Sequence, residues 1–248
     1  MTACFRLLAA ITVAMSMFLV GDARAQGFTP AQRGEIEAII KDYFLKHPEM
    51  IEQLQALAQS EKVKRLVTEN REVLLNSPRQ VTLGNPKGDV TMVEFFDYNC
   101  GYCKRALEDM MTLMKNDPNL RVVLKEMPVL SQGSIEAAQV GVGVAMQDKS
   151  GKRYLDFHTK LLTGRGQVDK ARALAVAKEV GADMAKIEKD MNGAEVKAAL
   201  QESFALAEAL GFQGTPSYVI GNEAVVGAVG VKDLQAKINN ARCGKATC

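Results

Sequence analysis

The spacing of apolar positions changes period partway along the chain. Val90, Met92, Val93, Phe95 and Phe96 form a β-rich run, whereas Ala106, Leu107, Met110, Met111 and Met114 recur at helical spacing. Asp97 and Asn99 supply turn chemistry between the two. The pattern predicts a strand, a tight turn and a helix. Ahead of it, Thr29-Pro30 looks like an N-cap and first-turn pair, followed by Ile36, Ile39, Ile40, Tyr43 and Phe44 at helical spacing. His47-Pro48 breaks that helix. A second one carries Met50, Ile51, Leu54, Leu57, Ala58, Val63, Leu66, Val67, Val73 and Leu74, with a charged opposite face, and Asn76-Ser77-Pro78 marks a linker.

Beyond the linker, Val81 to Leu83 and Leu120 to Lys125 read as strands, the latter ended by Pro128. A helical block follows: 134–147, 154–162, 170–180, 183–190 and 194–210, separated by glycine-rich breaks. Ser217 to Ile220, a turn at Asn222-Glu223, a returning run from Ala224 to Val226 and a final helix from Val231 to Ala241 complete the chain. The amphipathic helices of residues 26–77 need their stripe covered. They either fold back on their own chain or pack against copies of themselves.

Residues 1–25 read as a targeting leader. Arg6 precedes an apolar run from Leu7 to Val20, and Ala23-Arg24-Ala25 matches a cleavage site after Ala25. Cys4 leaves with it. The mature chain is then expected in an oxidising compartment, a periplasm, where thiol pairs form disulfides. With 31 Lys and Arg against 29 Asp and Glu, the net charge of +2 advertises neither nucleic acid nor a membrane surface.

Chemistry concentrates at Cys100-Gly101-Tyr102-Cys103, at the start of the helix that follows the apolar strand. Unpaired N–H groups and the positive helix end stabilise a thiolate at Cys100, the form that attacks disulfides, with Cys103 resolving. Lys104 and Arg105 occupy a first turn without an acid; they either favour that anion or face solvent. Structural zinc, with Cys243, Cys248, His47 and His158 supplying ligands, is the competing use of such a pair, but a strand running into a helix is the redox setting. His158 reads as a packed or surface histidine, and the three methionines as core rather than copper ligands. Glu94, in an otherwise apolar strand, is either a half-buried acid with a raised pKa that relays protons, or an edge residue facing solvent. Cys243 and Cys248 are expected to bridge, in a loop contributing about 2 kcal/mol; a second redox or metal pair is the alternative.

The run E-F-F-D-Y-N-C-G-Y-C-K resembles the active-site segment of DsbA-like thioredoxin-fold proteins, and G-F-Q-G-T-P-S-Y-V-I-G their cis-proline loop. With the helical N-terminal extension, the chain looks most like the suppressor-of-copper-sensitivity C (ScsC) proteins. The resemblance implies an α/β thioredoxin fold with a helical domain inserted at about 131–211, a catalytic domain over 78–248 and an oligomerisation segment over 26–77. It implies Cys100 and Cys103 as the catalytic dithiol, Glu94 as the proton-relaying acid, Gly101 and Tyr102 as the redox-tuning dipeptide, and a cis Thr215–Pro216 peptide that positions client strands. It further implies an exported homotrimeric disulfide isomerase acting on client proteins and kept reduced by a DsbD/ScsB-like membrane reductase, without a cofactor. The alternatives are a monomeric DsbA-like oxidase served by a DsbB-like partner, and a copper-tolerance protein binding Cu(I) at Cys100 and Cys103.

Overall fold

The computed structural model describes residues 27–248; the leader expected over residues 1–25 lies outside the described residues. The chain divides between Ala56 and Leu57 into two compact units. In the first, Thr29 and Gln32 form a reciprocal capping box at the start of α1 (Pro30–Lys46). His47 caps its end and Pro48 opens α2 (Pro48–Glu69). No residue of α1 is buried, and Ile39, Ile40, Tyr43 and Leu45 are exposed.

The second unit is built on a five-stranded sheet of β1 (Val81–Gly84), β2 (Val90–Phe96), β3 (Leu120–Glu126), β4 (Ser217–Ile220) and β5 (Glu223–Val226), in the order β1-β3-β2-β4-β5. β2 and β3 run parallel, and every other pair is antiparallel. The crossover between β2 and β3 is α4 (Gly101–Asn116). Between β3 and β4 lie α5 (Gln132–Ala145), α6 (Lys152–Thr163), α7 (Lys170–Glu179), α8 (Met184–Asp190) and α9 (Ala194–Leu210), and α10 (Val231–Cys243) follows β5. This is a thioredoxin core carrying a helical insertion.

Both faces of the sheet are covered, so β2 reads as continuously apolar rather than alternating. Met92 and Phe96 point to the face under α4, α6 and α10, whereas Val93 and Phe95 point to the opposite face. That second face corrects the expected boundary at Asn76-Ser77-Pro78. Val63, Val67 and Leu74 are buried against Val93, Phe95, Val123 and Phe212, so packing changes near residue 57, before the linker. The expected continuous second helix also breaks at Asn70, whose side chain donates to the Leu66 carbonyl, and α3 (Arg71–Asn76) follows. Two cations of β3 hold it. Arg121 donates to the Leu75 carbonyl at 2.6 Å, and Lys125 donates to Val73 at 2.9 Å and to the Glu202 carboxylate at 2.9 Å. They satisfy carbonyls that the end of a short helix leaves unpaired.

Within the insertion, Gly141 of α5 lies against side chains from the end of β3 and from the turn after β2. A Cβ there would meet the Glu126 carboxyl at 2.6 Å and the Tyr98 hydroxyl at 3.1 Å, so a side chain at this position would displace that pair.

Candidate active site

β2 delivers the chain to Phe96, and Asp97 folds the turn that follows. One Asp97 carboxylate oxygen accepts the Asn99 N–H at 2.7 Å, and the other accepts the N–H groups of Val129 and Leu130 at 2.9 and 3.0 Å. Asn99 fastens the same turn to the insertion. Its amide donates to the Val168 carbonyl at 2.8 Å and to Ser134 at 3.0 Å, and its carbonyl accepts the Val168 N–H at 2.7 Å. Held from both sides, Cys100 becomes the N-cap of α4.

Cys100 is 5% exposed and Cys103 fully buried. The Cys100 thiol donates to the Thr215 carbonyl at 3.1 Å, and the Thr215–Pro216 peptide is cis. The Cys103 thiol, as donor, holds the Cys100 pKa down to about 5, against the opposing pull of burial; Thr215 and the N–H groups of Cys103 and Tyr102 add to the lowering. Thr215 acts from two groups. Its carbonyl suits the thiol, whereas its buried and otherwise unpaired hydroxyl suits the thiolate. Burial pushes the Cys103 thiol far up, and its hydrogen bond to Cys100 adds to this. One sulfur therefore ionises readily and the other only with help.

Lys104 and Arg105 do not face the thiolate. Lys104 donates to the Gly164 carbonyl at 3.3 Å, and Arg105 lies 4.6 Å over the centre of the exposed Tyr102 ring. Neither contributes to the lowering at Cys100. Gly101 and Tyr102, between the cysteines, are both exposed.

Glu94 is buried far more deeply than a half-buried strand residue, at 2% exposure. It shares the face of Met92 and Phe96, toward α4. Burial first, then the charges of Asp109 and Cys100, push its pKa up to about 8. Its neighbours across the sheet are Leu124 and Tyr218.

A second buried acid escaped the sequence reading. Glu126 closes β3, and its carboxyl accepts from the Tyr154 hydroxyl at 2.8 Å and the Tyr98 hydroxyl at 3.2 Å. Burial pushes its pKa well up. The strand had been expected to stop at Lys125, which hid a carboxylate in a buried strand, the one signal available. His158 is packed rather than on the surface. It stands edge-on to Phe96 with ring centres 4.6 Å apart, and burial lowers its pKa to about 3. Met110 is buried, Met114 partly so, and Met111 is 41% exposed.

Cys243 and Cys248 are joined by a disulfide and exposed. Arg242, beside them, pairs with Asp89 before β2 and with Asp117 after α4, each at 2.8 Å. Through Arg242 the bridge is tied to the far end of α4 from the dithiol, a helix about 24 Å long at 1.5 Å per residue. Among the described residues, no helix is long and apolar enough to cross a membrane, and no group of three or more His, Cys, Asp or Glu is arranged to hold a metal.

Solved structures that resemble the chain include these two. A thioredoxin-like oxidoreductase from Silicibacter pomeroyi is 43% identical, covering 70% of this chain and 98% of its own with a TM-score of 0.66. A Proteus mirabilis ScsC variant with a linker deletion is 25% identical, covering 90% of this chain and 100% of its own with a TM-score of 0.73. Among curated proteins, the thiol:disulfide interchange protein DsbA of Bordetella pertussis is 25% identical over 57% of this chain and 68% of its own. The chain spans only 26% of the length of two others, both Na+/H+ antiporters of the NhaA kind. The sequence pattern of the DsbA-like thioredoxin domain matches residues 91–239. That match takes in the strand before the dithiol, both cysteines, the whole insertion and the cis-proline loop, and the chain belongs to the DsbA-like thioredoxin domain family.

Proposed function

We propose that this chain is an exported thiol–disulfide oxidoreductase that works as an oligomeric protein disulfide isomerase. The observation that carries the reading is the asymmetric dithiol: Cys100 at a helix N-terminus with a pKa lowered to about 5, and Cys103 buried behind it with its thiol pushed up. A thiolate that forms at any physiological pH attacks a client disulfide; a resolving thiol that stays protonated leaves the mixed disulfide time to rearrange. Thr215 and Pro216 flank Cys100 where an extended client segment would pair with backbone. Glu94 takes the proton from Cys103 when release is required. Gly101 and Tyr102 tune the potential.

The oligomer is supported by the exposed apolar residues of α1 and by the reach of the ScsC likeness over 90% of the chain. Such a stripe needs a cover, and three copies joined through residues 26–77 would present several dithiols to one client. The reading includes export to a periplasm after removal of residues 1–25, and reduction by a DsbD/ScsB-like membrane partner. The Cys243–Cys248 bridge serves as a structural staple.

The test is reactivation of a scrambled-disulfide protein by the reduced mature chain. Recovery of the client's activity is expected. Rapid oxidation of a reduced client without any unscrambling would reject the isomerase and leave the oxidase served by a DsbB-like partner. That second reading draws on the same low Cys100 pKa, because stabilising the thiolate makes the disulfide form oxidising.

A further inference from the structure

We propose that Tyr218 is a positioning residue for proton transfer in this site, its hydroxyl holding the ionised Glu94 carboxylate that takes the Cys103 proton. The inference rests on the oxidoreductase reading above and extends it to a residue that neither the dithiol motif nor the cis-proline motif includes.

Glu94 and Tyr218 face one another across the antiparallel β2–β4 pair. Such partners project from the same face with Cβ atoms about 5 Å apart, and here that face lies under Cys103 in one core cluster. Tyr218 is fully buried and Glu94 nearly so. Among the described residues, the Tyr218 hydroxyl and one Glu94 oxygen each have no hydrogen-bond partner. A buried, unpaired hydroxyl is costly, and phenylalanine would fill the same space without it. Two such groups on adjacent strands make sense if they serve each other, directly or through one water molecule, when Glu94 is charged.

The other groups around Glu94 leave the task to Tyr218. α4 presents Cys100, Cys103 and Asp109, and α6 presents Tyr154. Asp109 and Cys100 oppose ionisation of Glu94, and the Tyr154 hydroxyl is committed to Glu126. None of these is a cation. Burial keeps the Tyr218 phenol protonated, so it remains a donor at every pH at which Glu94 titrates. In the resolving step, the Cys103 thiol passes its proton to the Glu94 carboxylate. The resulting thiolate attacks the Cys100 sulfur of the mixed disulfide and forms the Cys100–Cys103 bond. The bond to the client breaks, and the client leaves as a thiolate.

The experiment follows reduced wild-type, Tyr218→Phe and Glu94→Gln proteins reacting with dithionitrobenzoate by stopped flow between pH 6 and 9. The first release of chromophore reports Cys100 and the second reports Cys103. In wild type the second release should rise with pH and level off above the Glu94 titration. Tyr218→Phe should move that rise upward by about one pH unit and slow the second release about tenfold at pH 7, since each unit is a factor of ten in the ionised fraction. Its first release should be unchanged. Superimposable second-release profiles for Tyr218→Phe and wild type overturn the inference. A wild-type profile for Glu94→Gln defeats the relay itself, so the two failures are told apart. Should Tyr218→Phe fail to fold, NMR of wild type labelled at Tyr Cζ decides: the Tyr218 resonance must move with the Glu94 titration, and one that stays put overturns the inference.

Discussion

Replacing Cys100 with serine in the reduced protein removes one titrating group and, with it, a pH-dependent share of stability. The folded pKa of about 5 lies below the ordinary thiol value of 9.0. Between those two values the unfolded chain holds a proton that the folded chain has released, so stability rises with pH across that window. Below about pH 5 both states are protonated and the contribution is lost. One pH unit corresponds to about 1.4 kcal/mol, so two units, from pH 5 to pH 7, give about 3 kcal/mol. The assay is denaturant unfolding of reduced wild-type and Cys100→Ser proteins from pH 4 to 8, compared as a difference. The difference matters because His158, buried with its pKa lowered to about 3, makes both proteins lose stability as pH falls below the ordinary histidine value of 6.5. That part cancels. The excess stability of wild type should grow from near zero at pH 4 to about 3 kcal/mol at pH 7, and the rate of Cys100 alkylation should titrate near pH 5. A difference that stays flat across pH 5 to 7, or an alkylation midpoint near 9, would refute the claim that Cys103 and the helix N-terminus hold a thiolate.

Other outcomes follow from the packing. Deleting residues 27–56 should give a monomer by light scattering with its thermal midpoint kept, whereas deletion through Ser77 should lower that midpoint, because Val63, Val67 and Leu74 leave the second face of the sheet. Leu74→Ala alone should cost about 3 kcal/mol in denaturant unfolding, as expected for a fully buried leucine. Glu126→Gln, which keeps an acceptor for Tyr98 and Tyr154, should be nearly neutral; Glu126→Leu leaves the two hydroxyls, 3.1 Å apart, only each other, so one donor is stranded at a cost of about 2 kcal/mol. Asn99→Ala should slow the first chromophore release and lower stability by about 2 kcal/mol, since it unties the active-site turn from Ser134 and Val168.

Local chemistry was the legible part of this chain. Cys100 at a helix start, the strand before it and the breaks between the inserted helices all follow from spacing within a dozen residues. What escaped depends on contacts across long separations. Nothing near Val63 or Leu74 shows that their partners are Val93 and Phe212, because an amphipathic stripe looks the same whichever surface covers it. Lys104 and Arg105 read equally as partners of a thiolate or as solvated cations, and the Gly164 carbonyl, sixty residues on, and the neighbouring Tyr102 ring take them. Glu94 stands open in sequence between a half-buried acid and a solvent-facing edge residue because the sequence of β2 cannot tell how completely α4 and β4 close over it. Glu126 and its two tyrosines come from three separate segments that meet only in the fold.

The two cysteine pairs sit at helix ends of opposite polarity. Cys100 begins α4, where the partial positive charge of the helix lowers the cost of a thiolate; Cys243 ends α10, where the partial negative charge raises it. Opening a disulfide requires one sulfur to depart as an anion, so the tail bridge has the poorer leaving group at that sulfur. A single chain thereby sets an order of reduction: a donor strong enough to keep the working pair open leaves the tail closed. Counting free thiols as the reductant is strengthened should show two before four.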